Sequence, residues 1–229
     1  MPHFAAWPPP FQPKLFRKRL REVAYSGSEL ELRGMPLRPI ASTFCVLSAF
    51  MSIEINNALI EEILSLWKDR IGGDFAGYRG HVYRMFNFCL ALHPCTEDEK
   101  KRLAIAACFH DIGLLSAHTV DYIQPSVSAV RQYLSETGQQ AWHEEIGLMI
   151  EMHHKVRTYK TDRYPLVEVF RKGDLVDFSL GFFKFGLPST YVSDVKKAIP
   201  NNGFHRFLMK GAREWFAKHP FSPPPFMKW

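Results

Sequence analysis

No stretch of this sequence is apolar for long enough to cross a bilayer. The most apolar run, residues 40–51, is shorter than the roughly eighteen residues that a spanning helix needs. Close cysteine pairs with zinc-binding spacing are also missing, which argues against thiolate zinc and against a disulfide framework. The four cysteines are Cys45, Cys89, Cys95 and Cys108. These absences predict a reducing, cytoplasmic location and no membrane partner.

Outside the first 50 residues the positive and negative charges nearly balance. The formal net charge is +6, but residues 1–50 contain seven Lys or Arg and three Glu, a net +4, which leaves +2 for residues 51–229. General nucleic-acid binders have a strongly basic surface. The sequence therefore predicts no nucleic-acid partner.

Residues 1–50 differ in composition from the rest of the chain. Prolines cluster at positions 2, 8, 9, 10 and 13, and a basic run follows at residues 14–21. Three interpretations compete: a disordered tail, a transit peptide, or upstream sequence translated in error with Met51 as the native start. The last is favoured because a well-formed helical pattern begins directly after Met51. The predicted domain is residues 51–229.

Strand-type alternation is missing as well, whereas helical periodicity recurs from residue 53 onward. The pattern predicts helices over residues 54–71, 75–92, 97–111, 125–137, 140–157, 164–180, 189–199 and 203–217. A capping box at residues 96–99 opens the third helix, and Gly113 is the expected stop. The sequence therefore predicts an all-α fold.

Two apolar sets are expected to pack in the core. The first is a stripe on the first helix: Ile55, Leu59, Ile63 and Leu66. The second is an aromatic run, for which core packing is favoured over a role as substrate platform: Phe178, Phe182, Phe183 and Phe185.

Three predicted helices carry an ionisable residue where the apolar stripe requires a hydrophobic one. These residues are His81, His110 with Asp111 beside it, and Asp174. One such residue alone is typical of a hydrogen-bonded core position. Several in one core must be paired or must bind a ligand, and a divalent metal would satisfy them.

This order of residues resembles the H…HD…D signature of the HD-domain metal-dependent phosphohydrolases. Residues 109–114 (FHDIGL), 150–154 (IEMHH) and 173–177 (GDLVD) are also similar to that superfamily. The resemblance implies an HD-domain helical bundle that binds one divalent transition metal: Mn, Fe, Co, Ni or Zn. The four implied ligands are His81, His110, Asp111 and Asp174.

Departures from the family pattern favour a mononuclear site. Two-metal members have a further histidine that opens a helix of the form His-Pro-x-x-Gly-Ala, whereas this chain has QPSVSA at residues 124–129. Gln124 thus replaces that ligand. His118 and His143 are alternatives, although His143 is expected on a helix surface beside two glutamates.

Four other residues are candidates for positions beside the implied ligands. Either His153 or His154 could face the site as a substrate contact or second-metal ligand, and helical spacing does not choose between them. Asp177 lies one turn after Asp174, and a surface or capping role is favoured for it. Arg84, one turn after His81, is the best candidate for binding an anion.

The main functional hypothesis is a metal-dependent phosphohydrolase that acts on a small phosphate ester or nucleotide through a metal-activated water. In this hypothesis Asp111 helps to hold the metal, while Arg84 and one of the two adjacent histidines steady the substrate charge. The alternatives are an HD-fold hydro-lyase of the cyanamide hydratase type and a non-catalytic metal-binding helical module. A di-iron oxygenase is less favoured because Gln124 replaces a required histidine. A homodimer is left open.

Overall fold

The structure is a computed structural model, and it describes residues 52–117, 121–155, 157–222 and 224. Every regular element within these residues is a helix, so the predicted all-α fold is confirmed. The predicted extension at residues 1–50, the proposed start at Met51 and the candidate ligand His118 lie outside the described residues. None of the described helices is both long and apolar enough to cross a membrane.

Nine α-helices and two short 3₁₀ helices make up the described part of the chain. The α-helices are α1 (Ala58–Ile71), α2 (Phe75–Leu92), α3 (Glu97–Phe109), α4 (Ile112–Ala117), α5 (Ile123–Glu136), α6 (His143–Met152), α7 (Leu166–Phe178), α8 (Ser189–Ala198) and α9 (Phe204–Lys218). The 3₁₀ helices are Gly72–Asp74 and Gln140–Trp142. All eight predicted helices are present, and α4 is additional. Helix α2 has the predicted bounds, whereas the other seven are shifted at one or both ends.

Side-chain caps explain where two helices begin. Asn57 Oδ1 accepts hydrogen bonds from the backbone N–H groups of Leu59 and Ile60 at 3.1 and 3.2 Å, so α1 starts later than predicted. At α3, Thr96 Oγ1 accepts from the N–H of Glu99, and the Glu99 carboxylate accepts from the N–H of Thr96. The predicted capping box is therefore confirmed.

The predicted apolar stripe of α1 is wrong in part. Ile63 is buried, but Ile55 and Leu66 are 57% and 40% exposed. Because α1 begins only after Asn57, Ile55 precedes the helix and cannot belong to its stripe. The side chains that α1 buries are Ile60, Ile63, Leu64 and Ile71.

The predicted stop at Gly113 is also wrong. Helix α3 ends at Phe109, and α4 begins at Ile112, so Gly113 lies inside a second short helix. A Cβ at Gly113 would lie 2.6 Å from the carbonyl oxygen of Tyr122. The glycine therefore permits a close approach of two chain segments, and His110 and Asp111 are held at the junction between α3 and α4.

Helices α2 and α7 form the most extensive contact between helices in the described bundle. They approach closely at Gly173, where a Cβ would lie 2.3 Å from Cys89 Sγ and 3.1 Å from the carbonyl oxygen of Met85. Because Asp174 follows Gly173 directly, this contact brings the carboxylates of α7 against His81 on α2.

The aromatic run after α7 is exposed, contrary to the prediction of core packing. Phe178, Phe182, Phe183 and Phe185 are 49%, 81%, 48% and 38% exposed. Helix α7 ends at Phe178, so the other three side chains lie on the connection to α8 and share no helical face with the core residues of α7.

Candidate metal centre

The four side chains predicted as metal ligands converge in the interior of the bundle. His81 comes from α2, His110 and Asp111 from the α3–α4 junction, and Asp174 from α7. All four are at most 4% exposed. Three of them, His81, His110 and Asp111, already form a group whose ligand atoms lie within 4.8 Å of one another.

The separations between these ligand atoms suit one cation. Nε2 of His81 lies 2.9 Å from Nε2 of His110 and 3.4 Å from Oδ1 of Asp174. Nε2 of His110 lies 3.3 Å from Oδ2 of Asp111 and 3.8 Å from Oδ1 of Asp174. Ligands about 2.1 Å from a metal are about 3.0 Å apart in octahedral and about 3.4 Å apart in tetrahedral geometry. The four distances, from 2.9 to 3.8 Å, include the octahedral and the tetrahedral value.

Each of the two histidines is oriented through its other ring nitrogen. Nδ1 of His81 donates to Oδ2 of Asp177 at 2.7 Å, and Nδ1 of His110 donates to the carbonyl oxygen of Ala107 at 2.9 Å. Carboxylates and carbonyls only accept, so both Nδ1 atoms carry a proton and both Nε2 atoms face the centre. This arrangement is typical of histidines that bind metals.

Two bare Nε2 lone pairs cannot face each other at 2.9 Å without a positive charge near them. In the metal-free protein a proton supplies this charge. Burial opposes it, but hydrogen bonds with Asp174 and Asp177 outweigh the burial and raise the pKa of His81 to about 9. A divalent cation held by the same lone pairs would displace this proton.

Asp111 has a buried oxygen that needs a ligand. Its Oδ1 has no hydrogen-bond partner among the described residues, and Nε2 of His153 is 3.5 Å away from it. An unsatisfied carboxylate oxygen is costly to bury. Two imidazoles and two carboxylates form a donor set that suits a divalent transition metal, so the residues present fit the metal that the family resemblance implies.

Asp177 belongs to the buried network, so the surface or capping role favoured for it is wrong. It is 2% exposed, and its oxygens accept hydrogen bonds from His81 and from Nε and Nη2 of Arg84 at 2.6 and 2.9 Å. Burial raises its pKa, but His81 and Arg84 outweigh that effect and lower the pKa of Asp177 to about 2. The sequence indicated that Asp177 could reach the centre only through its position one helical turn after Asp174.

Arg84 is buried beside this network but is already bonded to the protein. Besides the two bonds to Asp177, its Nη1 donates to the carbonyl oxygen of Pro200 at 3.0 Å, and the residue is 2% exposed. Arg84 therefore holds Asp177, which in turn orients His81. Contact with a substrate anion stays a prediction, and it would have to compete with these bonds.

The structure distinguishes the two histidines that follow α6. His153 is buried, its Nε2 faces Asp111, and its Nδ1 donates to the carbonyl oxygen of Ile150 at 2.7 Å. His154 is only partly buried, and its Nε2 is hydrogen-bonded to the hydroxyl of Tyr122. Burial and the neighbouring His153 lower the pKa of His154 to about 3, so its ring is neutral.

Tyr122 is a site residue that sequence reasoning missed. It is 1% exposed, and its hydroxyl lies 3.4 Å from Nε2 of His153. Burial and the charge of Asp111 raise the pKa of Tyr122 well above its usual value, so the hydroxyl keeps its proton. It precedes α5 in a stretch without periodicity, which gave no signal.

A second group of residues shares Asp111 with the first. Asp111, His153 and His154 could also hold a cation, since their ligand atoms lie within 4.8 Å of one another. The other positions considered from the sequence lie elsewhere: Gln124 is exposed, and His143 is paired with Ser135 Oγ at 3.2 Å.

Comparison with protein-family models, with curated proteins and with solved structures gives no match for this chain. The functional argument therefore rests on the buried His/Asp cluster and on the residues that orient it.

Proposed function

We infer that this chain is a metal-dependent hydrolase of the HD-domain type that cleaves a small phosphate ester or nucleotide. The observation that supports this proposal is the buried group of His81, His110 and Asp111, with Asp174 within 3.8 Å of both imidazoles and an unsatisfied oxygen on Asp111. The H…HD…D order of the same residues supports it independently. A divalent transition metal in this centre would supply a Lewis acid and an acidified water.

The chain's own residues have distinct tasks in this proposal. His81, His110, Asp111 and Asp174 hold the cation. Asp177 and the carbonyl oxygen of Ala107 fix the two imidazole rings through their Nδ1 protons. The low exposure of all four ligands keeps bulk solvent from the centre, which strengthens electrostatic interactions with a bound anion.

His153 and Tyr122 are the groups best placed to contact the substrate. Burial lowers the pKa of His153, but the Asp111 carboxylate outweighs the burial and raises it, which favours the protonated ring. Tyr122 keeps its hydroxyl proton. A protonated Nε2 of His153 could therefore donate to an anionic oxygen next to Asp111, and the Tyr122 hydroxyl could do so in exchange for its hydrogen bond with Nε2 of His154. We also propose that the substrate is small and anionic and that the protein is located in the cytoplasm.

One observation favours a second candidate, a hydro-lyase of the cyanamide hydratase type. The cation expected to bind a phosphate, Arg84, is engaged by Asp177 and by the Pro200 carbonyl oxygen. A neutral substrate such as cyanamide would need no such partner. This candidate uses the same metal ligands, so only turnover separates the two reactions.

The test combines a substrate panel with one ligand variant. Purified protein reconstituted with Mn, Fe, Co, Ni or Zn is assayed against phosphate esters, nucleotides and cyanamide, beside Asp111→Ala. We expect phosphate release by the wild type, and loss of metal and activity together in Asp111→Ala while circular dichroism stays helical. Asp162→Ala, at an exposed position, is the matched control.

Each other outcome has a defined meaning. Turnover of cyanamide without phosphate release would replace the main proposal by the hydro-lyase. Unfolding of Asp111→Ala, together with an inactive metal-loaded wild type, would indicate a structural metal module. Arg84→Ala does not serve as an anion-site probe, because it would leave the Asp177 carboxylate without its buried partner.

A further inference from the structure

The connection between α7 and α8 presents a cluster of uncovered apolar side chains. We call residues 178–187 the aromatic loop. Five of its side chains are exposed by 38% to 81%: Phe178, Leu180, Phe182, Phe183 and Phe185. Three of them lie together, since the rings of Phe182 and Phe183 are 5.0 Å apart and those of Phe183 and Phe185 are 6.4 Å apart.

The backbone of the aromatic loop is fixed in a conformation that turns these side chains outward. The N–H groups of Gly181 and Phe182 donate to the carbonyl oxygens of Val176 and Ser179 at 2.8 and 3.0 Å. Leu180 and Phe185 adopt positive φ angles of 54° and 49°, which non-glycine residues rarely do. Strained backbone that is held in place this way is a feature of functional segments.

Lysines surround the aromatic loop. Lys184, Lys196 and Lys197 line, together with Leu180, a cavity of about 390 Å³. Lys172 places its Nζ 5.7 Å from the ring centre of Phe185. Two acids lie against these lysines. Asp194 is 3.5 Å from Lys197, and Glu168 is 3.6 Å from Lys172 but is also paired with Arg171. The surface is therefore apolar at its centre and positive at its edge.

We propose that the aromatic loop binds the surface of an anionic lipid bilayer. Exposed aromatic and leucine side chains enter the boundary between headgroups and acyl chains, while lysines beside them reach the lipid phosphates. A second copy of this chain fits less well, because a two-fold axis through the loop would bring its lysines against the same lysines of the other copy. The sequence predicted no membrane partner because it has no spanning segment, but surface contact needs none.

The test is co-sedimentation of the full chain with vesicles. Vesicles of phosphatidylcholine mixed with phosphatidylserine should bind the protein, phosphatidylcholine alone should bind it less, and salt should weaken binding. Phe182→Ser should lower the partition coefficient about tenfold through lost apolar burial. Lys196→Glu combined with Lys197→Glu should weaken binding to the anionic vesicles alone.

Phe216→Ser is the matched control, because Phe216 is 45% exposed on α9, outside the aromatic loop. It should bind vesicles like the wild type. As a second readout, the fluorescence of Phe182→Trp should shift to shorter wavelength when anionic vesicles are added. The proposal is overturned if the wild type stays in the supernatant, or if Phe182→Ser binds as tightly as the wild type and the Trp signal does not move.

Discussion

Asp177 and Phe178 are neighbours in the chain, yet they depart from the usual distribution of residues in opposite directions. Asp177 is 2% exposed and Phe178 is 49% exposed. Acids are normally outside and aromatics inside. The last turn of α7 therefore buries a charged side chain in the bundle, whereas the aromatic loop exposes apolar side chains on the surface.

The buried network around Asp177 and the aromatic loop differ in what offsets the cost of these unusual positions. In the buried network the compensation is internal, because Asp177 is bonded to His81 and Arg84, and Asp174 lies against His81. In the aromatic loop the backbone is hydrogen-bonded, but five apolar side chains, those of Phe178, Leu180, Phe182, Phe183 and Phe185, stay exposed. Removing the carboxylate that pairs with Arg84 and His81 should thus lower the free energy of unfolding, whereas removing an exposed aromatic side chain should change it little.

The largest expected effect is that of Asp177→Ala on stability. The substitution leaves the Arg84 guanidinium buried without its carboxylate and His81 without its Nδ1 acceptor. Breaking a buried ion pair from one side typically costs about 3–5 kcal/mol. Urea unfolding of both proteins after chelation should show a loss of this size.

Asp194→Ala is the matched control for this experiment. Asp194 pairs with Lys197 at 3.5 Å, but its side chain is 58% exposed, so solvent screens the pair. Its loss should cost about 0.5 kcal/mol or less. If Asp177→Ala cost as little as Asp194→Ala, the buried network would be solvated in solution, and the contrast with the aromatic loop would disappear.

Features that leave a local pattern in the sequence, such as helices and their caps, could be predicted from it. Helical periodicity and the capping box at Thr96 predicted the elements of α1 to α9 other than α4. His81, His110 and Asp174 were identified because each is an ionisable residue on an apolar stripe, and Asp111 because it lies beside His110. Their common role as metal ligands was implied by the resemblance to the HD-domain signature. Both patterns involve residues close together in the chain, so they can be recognised without knowing how the helices pack.

The remaining features depend on contacts between distant segments. The inward position of Asp177 follows from the close approach of α2 and α7 at Gly173, which the spacing alone could not show. The choice between His153 and His154 follows from where α6 ends, and Tyr122 reaches both from before α5. The exposure of the aromatic loop follows from the end of α7 at Phe178. The HD-domain assignment itself stays a prediction.

An intermediate effect is expected for metal affinity as a function of pH. A cation must displace the proton that His81 holds with a pKa of about 9. Affinity should therefore rise about tenfold per pH unit between about pH 6 and about pH 8, with one proton released per cation. Calorimetric titration in buffers of different ionisation enthalpy measures both quantities.

Asp177→Asn sharpens this measurement, because it removes one of the two carboxylates that raise the pKa of His81. The rise in affinity should then level off at lower pH than in the wild type. The same titrations give the stoichiometry, for which we expect about one cation per chain, because Gln124 stands where the two-metal proteins that the sequence resembles have a histidine. A pH-independent affinity would mean that the facing imidazoles hold no proton.

The smallest expected effect is that of Phe182→Ser on stability, and it tests the other half of the comparison. Phe182 is 81% exposed, so folding removes little of its surface from water, and the hydrogen bonds that fix the loop come from the backbone and Ser179. The free energy of unfolding should change by no more than about 0.5 kcal/mol. Phe170→Ser is the contrasting variant, because Phe170 is fully buried against His110, and its loss should cost at least about 3 kcal/mol. A cost near that value for Phe182→Ser would show that the aromatic loop is covered in the folded protein, since an uncovered ring has no packing to lose.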